Sequence, residues 1–220
     1  MFFQTVVSGS TRPGLWQMVG AVKFVLLALF LVVLAPAESL FDGQSWQGWA
    51  IRPGEKWLWR VDDGVIVGGS QTKKVPHNTF ITSAKRYRDF ELSLEVRVDG
   101  QKANAGIQFR SERVKDHHEM VGYQADVGPG FWGRLYDESR RRKFLAPLAS
   151  QEAAGAARKG WNRYRIRCEG NRIRLWINEI LTCDYREKDQ EIPQEGLIAL
   201  QAHSGPPFEV RYRDLTIEEL

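Results

Sequence analysis

Phe90-Glu91-Leu92-Ser93-Leu94-Glu95-Val96-Arg97-Val98 decides the fold. Apolar residues at every second position alternate with polar or charged ones, the period of a strand with one buried face and one wet face. Asp99-Gly100 closes the strand with a turn signal. Immediately downstream, Ala105 to Ser111 repeats the pattern, with Ile107 and Phe109 on one face and Gln108 and Arg110 on the other. Met120 to Val127 sets Tyr123, Ala125 and Val127 against Gly122, Gln124 and Asp126. Upstream, Trp57 to Val61 and Val65 to Gly69 flank Asp62-Asp63-Gly64, and Asp-Gly supplies the positive φ of a tight hairpin turn. Phe80 to Ser83 is a further short strand.

Farther out, Trp161 to Glu169, Arg172 to Asn178 and Ile180 to Arg186 read as a three-strand meander, turning at Gly170-Asn171 and Asn178-Glu179. Gly196 to His203 and Phe208 to Glu218 complete the set, the latter with Val210, Tyr212, Leu215 and Ile217 inward. Ten or so short strands at this spacing predict an all-β antiparallel sandwich. Ala-rich Ser150 to Lys159, with Ser150 as N-cap and Gly160 as stop, predicts one short surface helix.

The chain is long enough for one domain with a sizeable core, and 43% hydrophobic with 26% charged residues excludes a disordered chain. Val22 to Leu34 is an almost unbroken apolar run, short for a bilayer span, and Ala35-Pro36-Ala37 follows with the small-x-small form of a cleavage site. Residues 1–37 therefore read as a signal peptide and 38–220 as a single domain. The expected location is secreted or periplasmic, without stable membrane insertion after cleavage; an uncleaved N-terminal anchor is the alternative. Without Arg12 and Lys23 of the leader, 29 basic residues face 27 acidic ones, so charge gives no support for nucleic-acid binding.

Cys168 and Cys183 are the only cysteines. A secreted chain invites a disulfide, but the meander places the two on strands separated by a third, too far apart for one. Two free, buried thiols are expected. Of the four histidines, adjacent His117 and His118 point to opposite faces if they lie in a strand, which disfavours a shared metal. No cofactor is required by the sequence; a divalent metal is compatible with it but has no assigned ligands.

Chemistry-bearing residues concentrate between Asn104 and Phe144. The loop after Val127 holds Phe131-Trp132, Tyr136-Asp137-Glu138 and Arg140-Arg141-Arg142. Trp132 either meets a ligand or staples the loop to the core, and Asp137 and Arg141 either pair with each other or meet substrate.

Several segments taken together resemble the 3-keto-disaccharide hydrolase domain family. They are Leu40-Phe41-Asp42-Gly43 with Gly48-Trp49, Trp59 to Ile66, Asp89-Phe90-Glu91-Leu92, Asn104-Ala105-Gly106-Ile107 with Phe109-Arg110, Gly122-Tyr123-Gln124, Trp161-Asn162 and Gly196 to His203. Ala105 stands where the family commonly has Ser, and Gln124 where it often has Glu. The resemblance implies a concanavalin A-like lectin/glucanase jelly roll, a carbohydrate partner (an oxidised disaccharide or glycoside), and cleavage of the glycosidic bond beside a C3 ketone. It implies acid/base roles for Asp126, Glu138 and His203. Substrate contacts are expected from Arg110 as an oxyanion or hydroxyl clamp and from Gln108, Tyr123, Gln124, Trp132, Asp137 and Arg141. The alternative reading is a non-catalytic, lectin-like carbohydrate-binding module on the same face.

Overall fold

A computed structural model describes residues 1–5, 9, 36–100 and 102–220. The chain divides after Val33, and the domain is the unit that begins at Leu34. Most of the expected signal peptide, residues 1–37, lies outside the described residues.

Among the described residues fourteen strands follow one another: β1 (Glu38–Ser39), β2 (Trp49–Ile51), β3 (Trp59–Asp62), β4 (Val65–Ser70), β5 (Thr79–Tyr87), β6 (Phe90–Asp99) and β7 (Ala105–Arg113). Then come β8 (Met120–Val127), β9 (Leu135–Glu138), β10 (Asn162–Glu169), β11 (Arg172–Ile177), β12 (Ile180–Arg186), β13 (Gly196–Ala202) and β14 (Phe208–Glu219). One antiparallel sheet runs β12-β11-β10-β6-β14-β4-β3, with β1 added beside β14, and the other runs β2-β5-β13-β7-β8-β9. The two sheets pack as a jelly-roll sandwich. β6, the strand legible first, lies inside the larger sheet between β10 and β14, and Phe90, Leu92, Leu94 and Val96 are buried. From the smaller sheet Ile107, Phe109, Tyr123, Ala125 and Leu200 meet them in the core.

The β3–β4 turn is at Asp63-Gly64, both with positive φ, and the β11–β12 turn is at Asn178-Glu179, also positive. In β14 Tyr212 and Leu215 are both buried although three residues apart, because a bulge after Arg213 shifts the alternation. The expected surface helix is only a 3-10 turn, Glu152–Gly155, where Ser150 Oγ accepts from the Ala153 amide at 3.2 Å. A second 3-10 turn, Pro53–Leu58, takes up Trp57, which is exposed and not in a strand. Cys168 and Cys183 are free and buried, on β10 and β12 with β11 between them.

Two tyrosines from the larger sheet cross the core to the backbone of the smaller one. The Tyr212 hydroxyl donates to Gln201 O at 2.8 Å, and the Tyr164 hydroxyl lies 3.3 Å from Asp126 O. Both contacts fix strands of the smaller sheet, β13 through Gln201 and β8 through Asp126.

Candidate functional site

The outer face of the smaller sheet is polar but not solvent-washed. Along it, Gln108 of β7 stands opposite Gln124 of β8, and Gln124 opposite Tyr136 of β9. One step along, Gly106 faces Asp126; one step the other way, Gly122 faces Glu138. Loops complete the walls. His203, just past β13, donates its amide to Asn104 O at 3.1 Å. The Asn78 side chain accepts from the Ser204 amide at 2.9 Å and donates to Glu119 at 3.0 Å. Phe131 and Phe144 stand at the rim, the latter edge-on to Tyr136 at 5.5 Å. Together they enclose an open cleft of about 340 Å³ on whose wall Asp126, Glu138, Gln124 and His203 meet, at the small end for a ligand site.

A chain of side-chain hydrogen bonds runs under the cleft floor. Ser111 Oγ lies 2.7 Å from Gln108 Oε1, Gln108 Nε2 donates to Gln124 Oε1 at 2.9 Å, and Gln124 Nε2 donates to Asp126 Oδ1 at 2.8 Å. Gly106 makes this geometry available: a Cβ there would sit 2.4 Å from Gln124 Cδ, so only a bare backbone lets Gln124 lie across β7. Gln201, opposite Gly106 on β13, is fully buried on the same face, and among the described residues its amide has no partner.

Burial lifts the Asp126 carboxyl from its ordinary 3.8 to about 7; the Gln124 donor opposes the rise and the Glu138 charge adds to it. Glu138 also rises to about 7, chiefly through burial and then through the charge of Glu119, against the Ser139 amide, which favours the ionised form. Two carboxyls held near neutrality in one cleft are suited to exchange protons with a bound molecule. The His203 Nδ1 lies 2.8 Å from the Ser204 carbonyl, so Nδ1 carries the proton of the neutral ring and Nε2 is left as an acceptor.

Of the residues singled out in the sequence, Asp126, Glu138, His203 and Gln124 converge, with Gln108 directly behind Gln124. Arg110 does not join them. A bulge after Phe109 sets two β7 residues against one of β8, and Arg110, at φ +46°, leaves the alternation that would have aligned it with Gln108. Its guanidinium, wholly buried, donates to Arg88 O at 2.7 Å, Gly170 O at 2.8 Å, Gln194 Oε1 at 2.6 Å and Asp89 Oδ1 at 2.8 Å. Tyr123, Asp137 and Arg141 lie on the opposite face from the cleft. The Tyr123 hydroxyl donates to Glu187 at 2.7 Å, Arg141 bonds Glu187 at 2.7 Å and also pairs with Asp137, and Arg140 bonds Asp137 at 2.9 Å. Asp137 directly opposes Tyr123 across β8 and β9 and therefore shares its face. Trp132 packs half-buried against the core as a staple for its loop, and Gly133 lets that loop touch β12, since a Cβ there would lie 2.6 Å from Thr182 Cβ.

Asn78, Asn104, Tyr136, Phe131 and Phe144 line the cleft without having been assigned from the sequence. Tyr136 shares its face with Glu138, one strand period on, but β9 is only four residues long and does not announce itself in the sequence; Asn78 and Phe144 arrive from separate loops that no local pattern connects to the site. His117 and His118 are in the β7–β8 loop, not in a strand, and their rings stack at 4.1 Å, with His77 4.5 Å from His118. Among the described residues no group of three or more His, Cys, Asp or Glu side chains is placed to hold a metal ion.

Several solved structures share this architecture. A candidate glycosyl hydrolase from Parabacteroides distasonis is 16% identical, with TM-score 0.63 and coverage of 84% of this chain and 94% of that one. A carbohydrate-binding module from Bacillus subtilis is 16% identical, with TM-score 0.58 and coverage of 78% and 96%. The Bacillus licheniformis β-glucanase is 10% identical, with TM-score 0.55 and coverage of 83% and 96%. At these identities the likeness is one of fold. No curated protein sequence matches the chain. The model of one family matches residues 36–218, nearly the whole domain, and the chain belongs to that family, the 3-keto-alpha-glucoside-1,2-lyase-like domain.

Proposed function

We propose that this protein cleaves the glycosidic bond of a sugar oxidised at C3, by elimination across C1 and C2 followed by addition of water. A C3 ketone acidifies the C2–H. Asp126, ionised, takes that proton, and the C–H electrons move into an enolate whose charge rests on the C3 oxygen. The enolate collapses, the C1–O bond breaks, and the departing oxygen takes a proton from Glu138. Water then adds at C1 of the enone and gives a proton to the ionised Glu138, while Asp126 returns a proton to C2, which yields the free 3-keto sugar and restores both carboxyls. His203 Nε2 is assigned as acceptor for a ring hydroxyl, and Asn104 as a donor toward the C3 oxygen. The family description supports the 1,2-elimination over direct hydrolysis by two carboxylates. The observation that carries the reading is the convergence of two carboxyls, Asp126 and Glu138, on one open cleft, where burial raises both toward neutrality.

The test is release of nitrophenol from a nitrophenyl 3-keto-glucoside by the wild type, Asp126→Asn and Glu138→Gln. Loss of an acid/base group lowers turnover ~100-fold or more, with binding of the 3-keto sugar retained. If the wild type releases nothing from α- or β-linked 3-keto-glycosides, with or without added divalent cation, the catalytic reading fails.

A second reading, a non-catalytic carbohydrate-binding module, is favoured by the neutral Gln124 where a carboxylate is common, and by the aromatic rim of Phe131, Tyr136 and Phe144. It predicts sugar binding that Asp126→Asn leaves intact, with no turnover by the wild type.

A further inference from the structure

We propose that Ser111, Gln108 and Gln124 are positioning residues, a hydrogen-bond relay that holds the Asp126 carboxyl in place and serves both of its protonation states. The inference deepens the role given to Asp126 above and rests on it only for its catalytic consequence.

Three observations carry it. First, the relay is continuous, with links of 2.7, 2.9 and 2.8 Å from Ser111 to Asp126. Second, it is sheltered: Ser111 and Gln108 are fully buried and Gln124 is 4% exposed, so bulk water cannot substitute for a lost link. Third, Gln108 does not line the cleft, so contact with a ligand does not explain why a buried amide stands there.

Each glutamine carries donor and acceptor on one planar amide, and a half-turn about its last torsion exchanges them. With Asp126 ionised, Ser111 O–H donates to Gln108 Oε1, Gln108 N–H to Gln124 Oε1, and Gln124 N–H to the carboxylate. With Asp126 protonated, its own O–H donates to Gln124 Oε1 once both amides have turned. Gln124 N–H then donates to Gln108 Oε1, and Gln108 N–H to Ser111 Oγ. The Ser111 proton turns to Phe109 O, already 2.9 Å away. Every link survives in either state and no proton leaves Asp126 through the relay. A carboxylate at position 124 would be acceptor-only when ionised and could not make this exchange, which gives the amide there a physical reason.

The test is a carbon-13 NMR titration of the Asp126 carboxyl in the full chain, for the wild type, Gln124→Leu, Gln108→Met and the double variant. Gln124→Leu removes the donor to the carboxylate and shifts the titration upward by about one unit. Gln108→Met shifts it in the same direction by less. The double variant matches Gln124→Leu alone, because Gln108 acts through Gln124. Ser111→Ala, a smaller change, guards against a variant that fails to fold and gives a smaller upward shift. Folded variants with an unmoved titration, or additive shifts in the double variant, overturn the relay. The readout needs no turnover: a relay confirmed by titration with no activity removes only the catalytic reading, and turnover with an unmoved titration removes only the relay.

Discussion

Arg110 is where the resemblance and the structure diverge most, and Arg110→Met separates the two roles. As a substrate clamp, Arg110 would leave stability nearly unchanged when replaced and reduce turnover. The structure makes it an internal clamp instead, tying the β5–β6 turn at Arg88 and Asp89, the β10–β11 turn at Gly170, and Gln194. Four hydrogen bonds from a charged donor, at about 1.5–3 kcal/mol each, would sum to roughly 6–12 kcal/mol if independent. They are not independent: they share one group, and methionine fills most of the volume while removing the cost of burying a charge. Asp89 is also about a third exposed, at 32%, and is partly rehydrated on its own. The figure for breaking a buried pair, about 3–5 kcal/mol, is the better guide. For a domain of this size that is a fall in Tm of about 10 °C. Thermal and urea melts followed by circular dichroism measure it, alongside turnover below the transition. An internal clamp gives a large fall in Tm and kcat/KM within about threefold of wild type. A variant that melts like the wild type and has lost activity would refute it.

The cleft carboxyls give a stability signature of the opposite sense. Asp126 and Glu138 have folded-state values raised to about 7 from 3.8 and 4.5, so folding favours their protonated forms. Their contribution is fully present below the unfolded values and is lost as pH rises from about 4 to 7. Asp126→Asn therefore melts near the wild type at pH 4 and is more stable at pH 8 by about 2–4 kcal/mol; a wild type at least as stable at pH 8 contradicts the assignment. Gly106→Ala displaces Gln124 from its place over β7 and lowers turnover ~10-fold or more while the protein remains folded, measured with the same chromogenic substrate. Cys168 and Cys183, whose thiols burial pushes up to about 12, stay unreactive toward a thiol reagent in the native protein and both react in denaturant.

The strands were legible because their residues alternate cleanly: Phe90 to Val98, Tyr164 to Cys168 and Ile173 to Ile177 each state their inward face without help from tertiary context. The bulge at Arg110 was not, because a non-glycine residue at positive φ leaves no mark in Phe109-Arg110-Ser111, and one bulge re-aims a side chain. Tyr123 and Asp137 go astray for a different reason: their polar groups suggest substrate, although the alternation of β8 already turns Tyr123 away from Gln124 and Asp126. The two oppose each other on the inward face, where Tyr123 donates to Glu187, 64 residues on in sequence, and Asp137 pairs with Arg140 and Arg141. Asp126 and Gln124 were found because the alternation of β8 is unbroken. Glu138 follows the same logic on β9, a strand too short to be recognised. Asn78 could be placed only by the fold, since its link to the cleft runs through Glu119 and Ser204 from two other loops.

Removal of the C2 proton by Asp126 is the step on which elimination depends, and isotope exchange reads it directly. A 3-keto-glucoside is turned over in deuterium oxide, and the C2 position of product and recovered substrate is followed by NMR. Elimination places deuterium at C2 of the product at the rate of glycosidic cleavage, with both falling together in Asp126→Asn. Cleavage that leaves hydrogen at C2 would contradict it and replace elimination with direct hydrolysis.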